Sequence, residues 1–182
     1  KVEVNGRSAA LIELGAGFHP ELTGRENIYL NGTILGLKRK EIDARFDEIV
    51  EFAGLERFID TPVKRYSSGM YARLGFSVAV HVNPDVLLVD EVLAVGDMSF
   101  QNRCYDRMRQ LRTGDRAIVF ISHNLFAVRD LCTQAVFLSQ GQVVAAGATD
   151  EVIQAYKNHA VIEQQTDGAR PGAAVTMDQA DD

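Results

Sequence analysis

The sequence predicts an α/β protein built on a parallel sheet, with a helical segment inserted into it. Three observations predict this class. Residues 86–89 (Val-Leu-Leu-Val) and 117–121 (Ala-Ile-Val-Phe-Ile) are continuous apolar runs, the pattern of strands buried on both faces of a parallel sheet. A helix signal follows each run, and alternation of strand and helix implies parallel pairing. Between residues 23 and 82 every periodic pattern is helical, with no strand candidate.

A chain of 182 residues has room for one ordinary domain with a real core and a subdomain inserted in it. A hydrophobic content of 46% and a charged content of 24% are those of a soluble globular protein. No apolar run in the sequence is long enough to cross a bilayer, and no secretory signal is expected. The chain starts at Lys1, inside what reads as a strand, so it is expected to be a fragment whose N-terminal part is missing. Cys104 and Cys132 are far apart and in no metal-ligand spacing, and they read as two reduced thiols in a cytosolic protein. The net charge of −6 is mostly a property of the C-terminal tail. After His159 the acids Glu163, Asp167, Asp178, Asp181 and Asp182 face Arg170 alone, a net −4 that leaves −2 for the body. A nearly neutral body argues against broad electrostatic binding of nucleic acid.

Residues 2–14 read as two short strands around Asn5-Gly6, a strong hairpin signal. Gly15, Gly17 and Pro20 mark a loop. Thr23 with Glu26 three residues later is a capping box, opening a helix that carries Ile28, Leu30, Ile34 and Leu35 and fades at Gly36. A second helix is expected from about residue 40 to 53, with Ile42, Phe46, Ile49, Val50 and Ala53 on one face and Gly54 as its stop. Its opposite, charged face is read as solvated. Ser67 caps a helix that places Leu74, Val78 and Val82 on one side and ends at Pro84. Asp97 caps another through about Leu111, before the turn Gly114-Asp115, and a further helix runs to about Leu131. Residues 135–139 and 143–146 flank Gln140-Gly141 as an antiparallel hairpin at the sheet edge. Thr149 is expected to cap a last helix to about Asn158. The small, polar, aperiodic remainder reads as disordered or as a linker.

The chemistry-bearing residues cluster at element boundaries. Ligands of parallel sheets bind beyond the carboxyl ends of the strands, where Asp90, Glu91 and His123 fall. A lone carboxylate such as Asp90 suits Mg²⁺, which keeps waters and takes one or two protein oxygens plus phosphate. Glu91, on the other side of the strand end, could accept a proton from an attacking water. His123 could touch a terminal phosphate and steady developing charge. Ser67-Ser68-Gly69 opens a helix whose free amides and dipole suit a phosphate, and Gly69 lets backbone approach closely. Each feature alone is also what an ordinary capped helix or solvated turn provides. The order of the turn, the acid pair, Gly96-Asp97 and Ser122-His123 carries the inference.

With these residues in place the sequence resembles the ATP-binding cassette family, the nucleotide-binding subunits of ABC transporters, as far as about His159. Tyr66-Ser67-Ser68-Gly69-Met70 stands where the family has its signature, usually Leu-Ser-Gly-Gly-Gln. Residues 86–91 resemble the Walker B strand, which implies Asp90 near Mg²⁺ and Glu91 as general base. Val95-Gly96-Asp97 resembles the D-loop and His123 the switch histidine. The resemblance implies a P-loop, RecA-like core and a dimer of two cassettes sandwiching two ATP molecules, with Ser67, Ser68, Gly69 and Met70 acting on the partner's nucleotide. The stretches ELGAGFHPELTGRENIYLNG and YSSGMYARLGF are similar to the branch that exports bacterial surface polysaccharides: O-antigen, capsule or teichoic acid. That branch implies a homodimer of cassettes on the cytoplasmic face of the inner membrane, a separate membrane permease docked near residues 15–24, and no nucleic-acid partner.

Three departures from the family pattern stand out. No G-x-x-x-x-G-K-[ST] loop occurs in the sequence, so the Walker A lobe is expected to precede residue 1 and this piece alone to be inactive. Met70 replaces the usual signature glutamine. The Q-loop glutamine aligns with Leu14, beside which Glu13 could assist Mg²⁺ or water. The expected organisation is the end of the first core lobe at 1–22, a helical subdomain at 23–82, the RecA-like core at 83–159 and the tail at 160–182. Two rival readings are a degenerate, non-hydrolysing cassette and a non-transport ABC ATPase acting on nucleic acid or ribosomes.

Overall fold

The computed structural model describes residues 3–11, 15–90, 96–114 and 116–167, the stretch 161–167 by its backbone alone. Two compact units are present, Lys1–Ala127 and Val128–Asp182. Among the described residues no helix is long and apolar enough to cross a membrane.

The first unit holds a parallel sheet of β1 (Ser8–Leu11), β2 (Val86–Asp90) and β3 (Ala117–Ile121), with β2 in the middle. Ala9 pairs with Leu87 and Leu11 with Val89, and all four are buried, forming one apolar face. The expectation of strands buried on both faces fails on the other side. There Val86 and Leu88 are half-buried, and Val119 and Ile121 are 49% and 58% exposed. β3 is the edge of the described sheet, so it has a strand neighbour on one side only.

The expected N-terminal hairpin is also corrected. Asn5-Gly6 reverses no strand; the chain bends there and enters β1, which pairs in parallel with β2. Asp85 overrides the local turn signal. Its Oδ2 accepts the Arg7 amide (2.8 Å), and the Arg7 carbonyl accepts the Asp85 and Val86 amides (2.9 and 3.1 Å). Gly6 has φ +106°, and a Cβ there would lie 2.6 Å from that carboxylate. The residues before β1 are thereby locked to those before β2.

A helical layer with its own core connects β1 to β2. Its elements are α1 (Gly24–Ile34), α2 (Arg39–Asp43), α3 (Phe46–Ala53), a 3-10 turn (Val63–Arg65) and α4 (Ser68–His81). Ile28, Ile42, Ile49, Ala53, Leu74 and Val78 form the centre of that core. The capping box forms as expected: the Glu26 amide donates to Thr23 Oγ1 (3.2 Å) and the Thr23 amide to Glu26 Oε2 (2.8 Å). Gly54 closes α3 in the left-handed region at φ 66°. The single helix expected over 40–53 is two, because Arg45 leaves helical geometry (φ −118°, ψ 0°). Its guanidinium donates to the His81 and Val82 carbonyls (2.8 and 3.4 Å), capping the C-terminus of α4.

After β2 the first unit continues with α5 (Met98–Arg112) and the start of α6 (Leu125–Leu131). In the second unit β4 (Gln134–Ser139) and β5 (Gln142–Ala148) pair antiparallel as a two-stranded sheet of their own. The last helix, α7 (Thr149–Asp167), runs past Asn158 into what the sequence reads as tail. Thr149 is its first residue, and its hydroxyl donates to the Cys132 carbonyl (3.0 Å). Phe137 of β4 packs edge-on against Tyr156 and His159, which anchors α7 over the hairpin. Asp115 and residues 168–182 lie outside the described residues.

Candidate functional site

Two helix N-termini build the site. At the first, Ser67 is the extended N-cap of α4, and its Oγ accepts the Met70 amide (3.2 Å). Tyr66, just before it, donates its hydroxyl to the Phe58 carbonyl (2.8 Å), and burial pushes its pKa up to about 12. The turn is thereby pinned to the helical layer. Gly69 faces open space, since an added Cβ would come no nearer than 3.9 Å to Ser67 Oγ. Met70 is half-buried against the helical core.

At the second N-terminus Asp97 caps α5, its Oδ1 accepting the Phe100 amide (2.9 Å). Its Oδ2 accepts from Arg73 Nη2. The Phe100 amide, with Arg73 and Arg103 beyond it, holds the Asp97 carboxyl below the usual carboxylate range. The Arg73 guanidinium lies over the Phe100 ring, 5.4 Å from its centroid. Gly96 (φ +73°) fits against both, and a Cβ there would meet Phe100 Cδ1 at 3.1 Å and Arg73 Nε at 3.2 Å.

The two N-termini meet in a groove of about 400 Å³ lined by Ser67, Ser68, Gly69, Met70, Arg73, Gly96 and Asp97. Free amides of the first α4 turn and the positive end of its dipole favour an anion there. Five candidates named from sequence (Ser67, Ser68, Gly69, Met70 and Asp97) thus share one surface. Arg73 joins them unannounced. The available signal was its spacing of four from Gly69, which puts both on one face of a helix.

Asp90 and His123 lie elsewhere. Asp90 ends β2 opposite Ile121 of β3, and His123 follows Ile121 by two residues, so both stand at the carboxyl edge of neighbouring parallel strands. The turn around His123 is fixed on either side. Ser122 Oγ accepts the Asn124 amide (3.1 Å), and Asn124 Oδ1 accepts the Phe126 and Ala127 amides (3.1 and 3.2 Å) at the start of α6. Asn124 is a cap the sequence reading passed over. Glu13 and Glu91 fall outside the described residues. Among the described residues no group of three or more His, Cys, Asp or Glu side chains could enclose a metal. A single half-buried carboxylate such as Asp90 fits Mg²⁺, a hard cation that accepts one or two protein oxygens and keeps water and phosphate for the rest.

Comparison with known proteins adds the following. The sequence profile of the family described as ABC transporter matches residues 3–94. The chain is similar to the O-antigen export system ATP-binding protein RfbB of Klebsiella pneumoniae, 50% identical over 156 residues, 86% of this chain and 63% of that protein. It is also similar to the teichoic acids export ATP-binding protein TagH of Enterococcus faecalis, 42% identical over 180 residues, 96% of this chain and 40% of that protein. The chain spans less than two thirds of the length of these curated relatives. Among solved structures it resembles an ATP-binding subunit of an ABC transporter, with TM-score 0.72 and 23% identity over 83% of this chain and 62% of that one. It also resembles a dimeric ATP-binding cassette in a post-hydrolysis state bound to ADP and Pi, with TM-score 0.63 and 20% identity over 79% of this chain and 63% of that one. At these identities the structural likeness is one of fold.

Proposed function

The chain belongs to the ABC transporter family, and from that premise we propose that it acts in an ATP-binding subunit exporting a bacterial surface polysaccharide across the inner membrane. The relatives named for O-antigen and teichoic acid export support this cargo class. The observation that carries the reading is the groove in which the Ser67-Ser68-Gly69 turn and Gly96-Asp97 meet. An anion-favouring face built from two motif turns, lined by neither Asp90 nor His123, is half of a site. A second copy completes it. Ser67, Ser68 and Gly69 offer amides to the phosphates of ATP held by the partner, and Met70 lines the same face without a hydrogen-bond donor.

The other half-site lies at the strand ends. Asp90 would hold Mg²⁺ through a carboxylate oxygen, and bound Mg²⁺ neutralises phosphate charge. Glu91 takes the proton of the attacking water, and Glu13 assists Mg²⁺ or that water. His123 contacts the terminal phosphate and steadies the charge that develops on it. The division of the chain at 1–22, 23–82, 83–159 and 160–182 follows these roles. A separate permease provides the membrane path and docks at the loop of residues 15–24, which places the subunit on the cytoplasmic face.

ATPase and export assays on the full-length protein with its membrane subunit test the proposal. Glu91→Gln is expected to lower hydrolysis by at least ~100-fold, the usual share of a general base, and to stop export. A wild-type complex without hydrolysis, or one that Glu91→Gln leaves unchanged, sinks the reading.

A further inference from the structure

Tyr71 joins two parts of the first unit that the proposed function uses for different purposes. Its hydroxyl donates to the Gly15 carbonyl (3.0 Å), and the same carbonyl accepts the Phe18 amide (2.9 Å). The Phe18 ring meets the Tyr71 ring edge-on, with centroids 5.1 Å apart. Gly15 sits at φ +78° with its backbone pressed on the Tyr71 ring, where a Cβ would lie 2.3 Å from Cε1. At its other end Tyr71 closes the first turn of α4, its amide donating to the Ser67 carbonyl (3.0 Å). One residue therefore grips the loop through its side chain and the anion-favouring turn through its backbone.

The loop has a firm base and an open outer side. Asn31 donates to the Ala16 carbonyl (2.7 Å), and the buried Asn27 accepts the His19 amide (2.7 Å) and donates to the His19 and Leu22 carbonyls (3.1 Å each). Ala16, Gly17, His19, Pro20 and Glu21 are exposed. Ile34, 59% exposed, stands against Gly17. A partner touching this surface meets a loop that cannot slide freely along α1, so displacement is passed at Gly15 to Tyr71.

We propose that Tyr71 is a positioning residue that transmits the placement of the residue 15–22 loop to the turn at residues 67–70, so that engagement of a membrane partner resets the nucleotide-facing groove. The inference rests on the transport reading. Passage of a signal requires a residue held at both ends, and Tyr71 is held to the loop by its hydroxyl and to the turn by its backbone amide.

The test compares ATPase rates of the full-length protein with and without its membrane subunit in lipid vesicles. Tyr71→Phe removes the hydroxyl and keeps the ring. It is expected to lower the ratio of stimulated to basal rate about fivefold, the equivalent of one hydrogen bond lost from the coupled state. Gly15→Ala, which pushes on the ring from the loop side, is expected to lower the same ratio. An unchanged ratio in Tyr71→Phe overturns the inference. So does a loss in which basal and stimulated rates fall by one factor, because simple loosening of packing would do that. A wild-type protein that its membrane subunit fails to stimulate overturns the transport reading and this inference with it. A stimulated wild type beside an unaffected Tyr71→Phe overturns the inference alone.

Discussion

Asp97 uses its two carboxylate oxygens for different tasks: Oδ1 caps α5 through the Phe100 amide and Oδ2 pairs with Arg73. The tasks separate by substitution. Asn caps a helix as well as Asp does, so Asp97→Asn keeps the first and loses the charge of the second, whereas Asp97→Ala loses both. Urea unfolding is expected to rank the wild type at or above Asn and Asn above Ala; equal stability of the two variants would mean that the cap contributes nothing. Gly54→Ala is a second residue-scale case. The backbone there is left-handed (φ 66°), with the nearest side-chain atoms at an ordinary 3.9 Å, so the cost is conformational. It is expected to be about 1 kcal/mol. Caps of this kind are legible in sequence because donor and acceptor lie within three residues. Thr23, Ser67 and Asp97 all cap as their spacing implied. Arg73 was not legible as a partner of Asp97, since 24 positions separate them and only the packed fold brings them together.

Elements were readable where one local pattern governed them and misread where a distant group intervened. Residues 40–53 carry an unbroken helical face, yet the helix divides at Arg45 because that side chain serves the carbonyls ending α4. Those carbonyls have no helical partner of their own. Arg45→Met keeps the apolar stem and removes the donors, and it is expected to destabilise the protein by about 1–2 kcal/mol, measured by denaturant unfolding. The hairpin expected at Asn5-Gly6 failed for a similar reason, a contact with Asp85 that lies 78 positions from Arg7. α1 shows the converse. Asn27 is fully buried inside a helix, and its side-chain amide explains its place: Oδ1 accepts from His19, and the two Nδ2 hydrogens are shared among the His19, Leu22 and Thr23 carbonyls. Asn27→Leu leaves the His19 amide without its acceptor, while the His19, Leu22 and Thr23 carbonyls keep the Leu22, Val63 and Asn27 amides. The substitution is expected to cost about 2 kcal/mol, with faster amide exchange at residue 19.

At the scale of the molecule, the fold class and the parallel order of its strands were legible, because alternating strand and helix patterns admit few topologies. Burial on the second face of the sheet was not, since it depends on what covers each strand and not on the strand. His81 is a whole-molecule feature of the same sort, a polar residue on an otherwise apolar stretch that only packing explains. It is 6% exposed, with Nδ1–H donating to the Ser77 carbonyl (2.7 Å) and the Phe52 ring edge-on at 5.3 Å. The helices around it are joined at the same point: Arg45 takes the His81 carbonyl and Arg107 of α5 the Val80 carbonyl (3.3 Å). Burial lowers the His81 pKa below its ordinary 6.5. Arg107 and Arg45 push the same way, while the Ser77 hydrogen bond and Glu48 oppose them. A histidine with a depressed folded pKa stays neutral in the native state while the unfolded chain takes up a proton. Stability is therefore full above the unfolded value near 6.5 and falls as pH drops below it. The fall continues until the folded pKa is reached. Urea midpoints measured at pH 7.5 and pH 5.5 are expected to drop in the wild type and to drop less in His81→Gln, which cannot take up that proton. Equal drops would assign the pH dependence to other groups and leave His81 a packing residue. A smaller drop in His81→Gln would assign part of the pH dependence to the C-terminal end of α4, the helix whose N-terminal end carries the Ser67 cap.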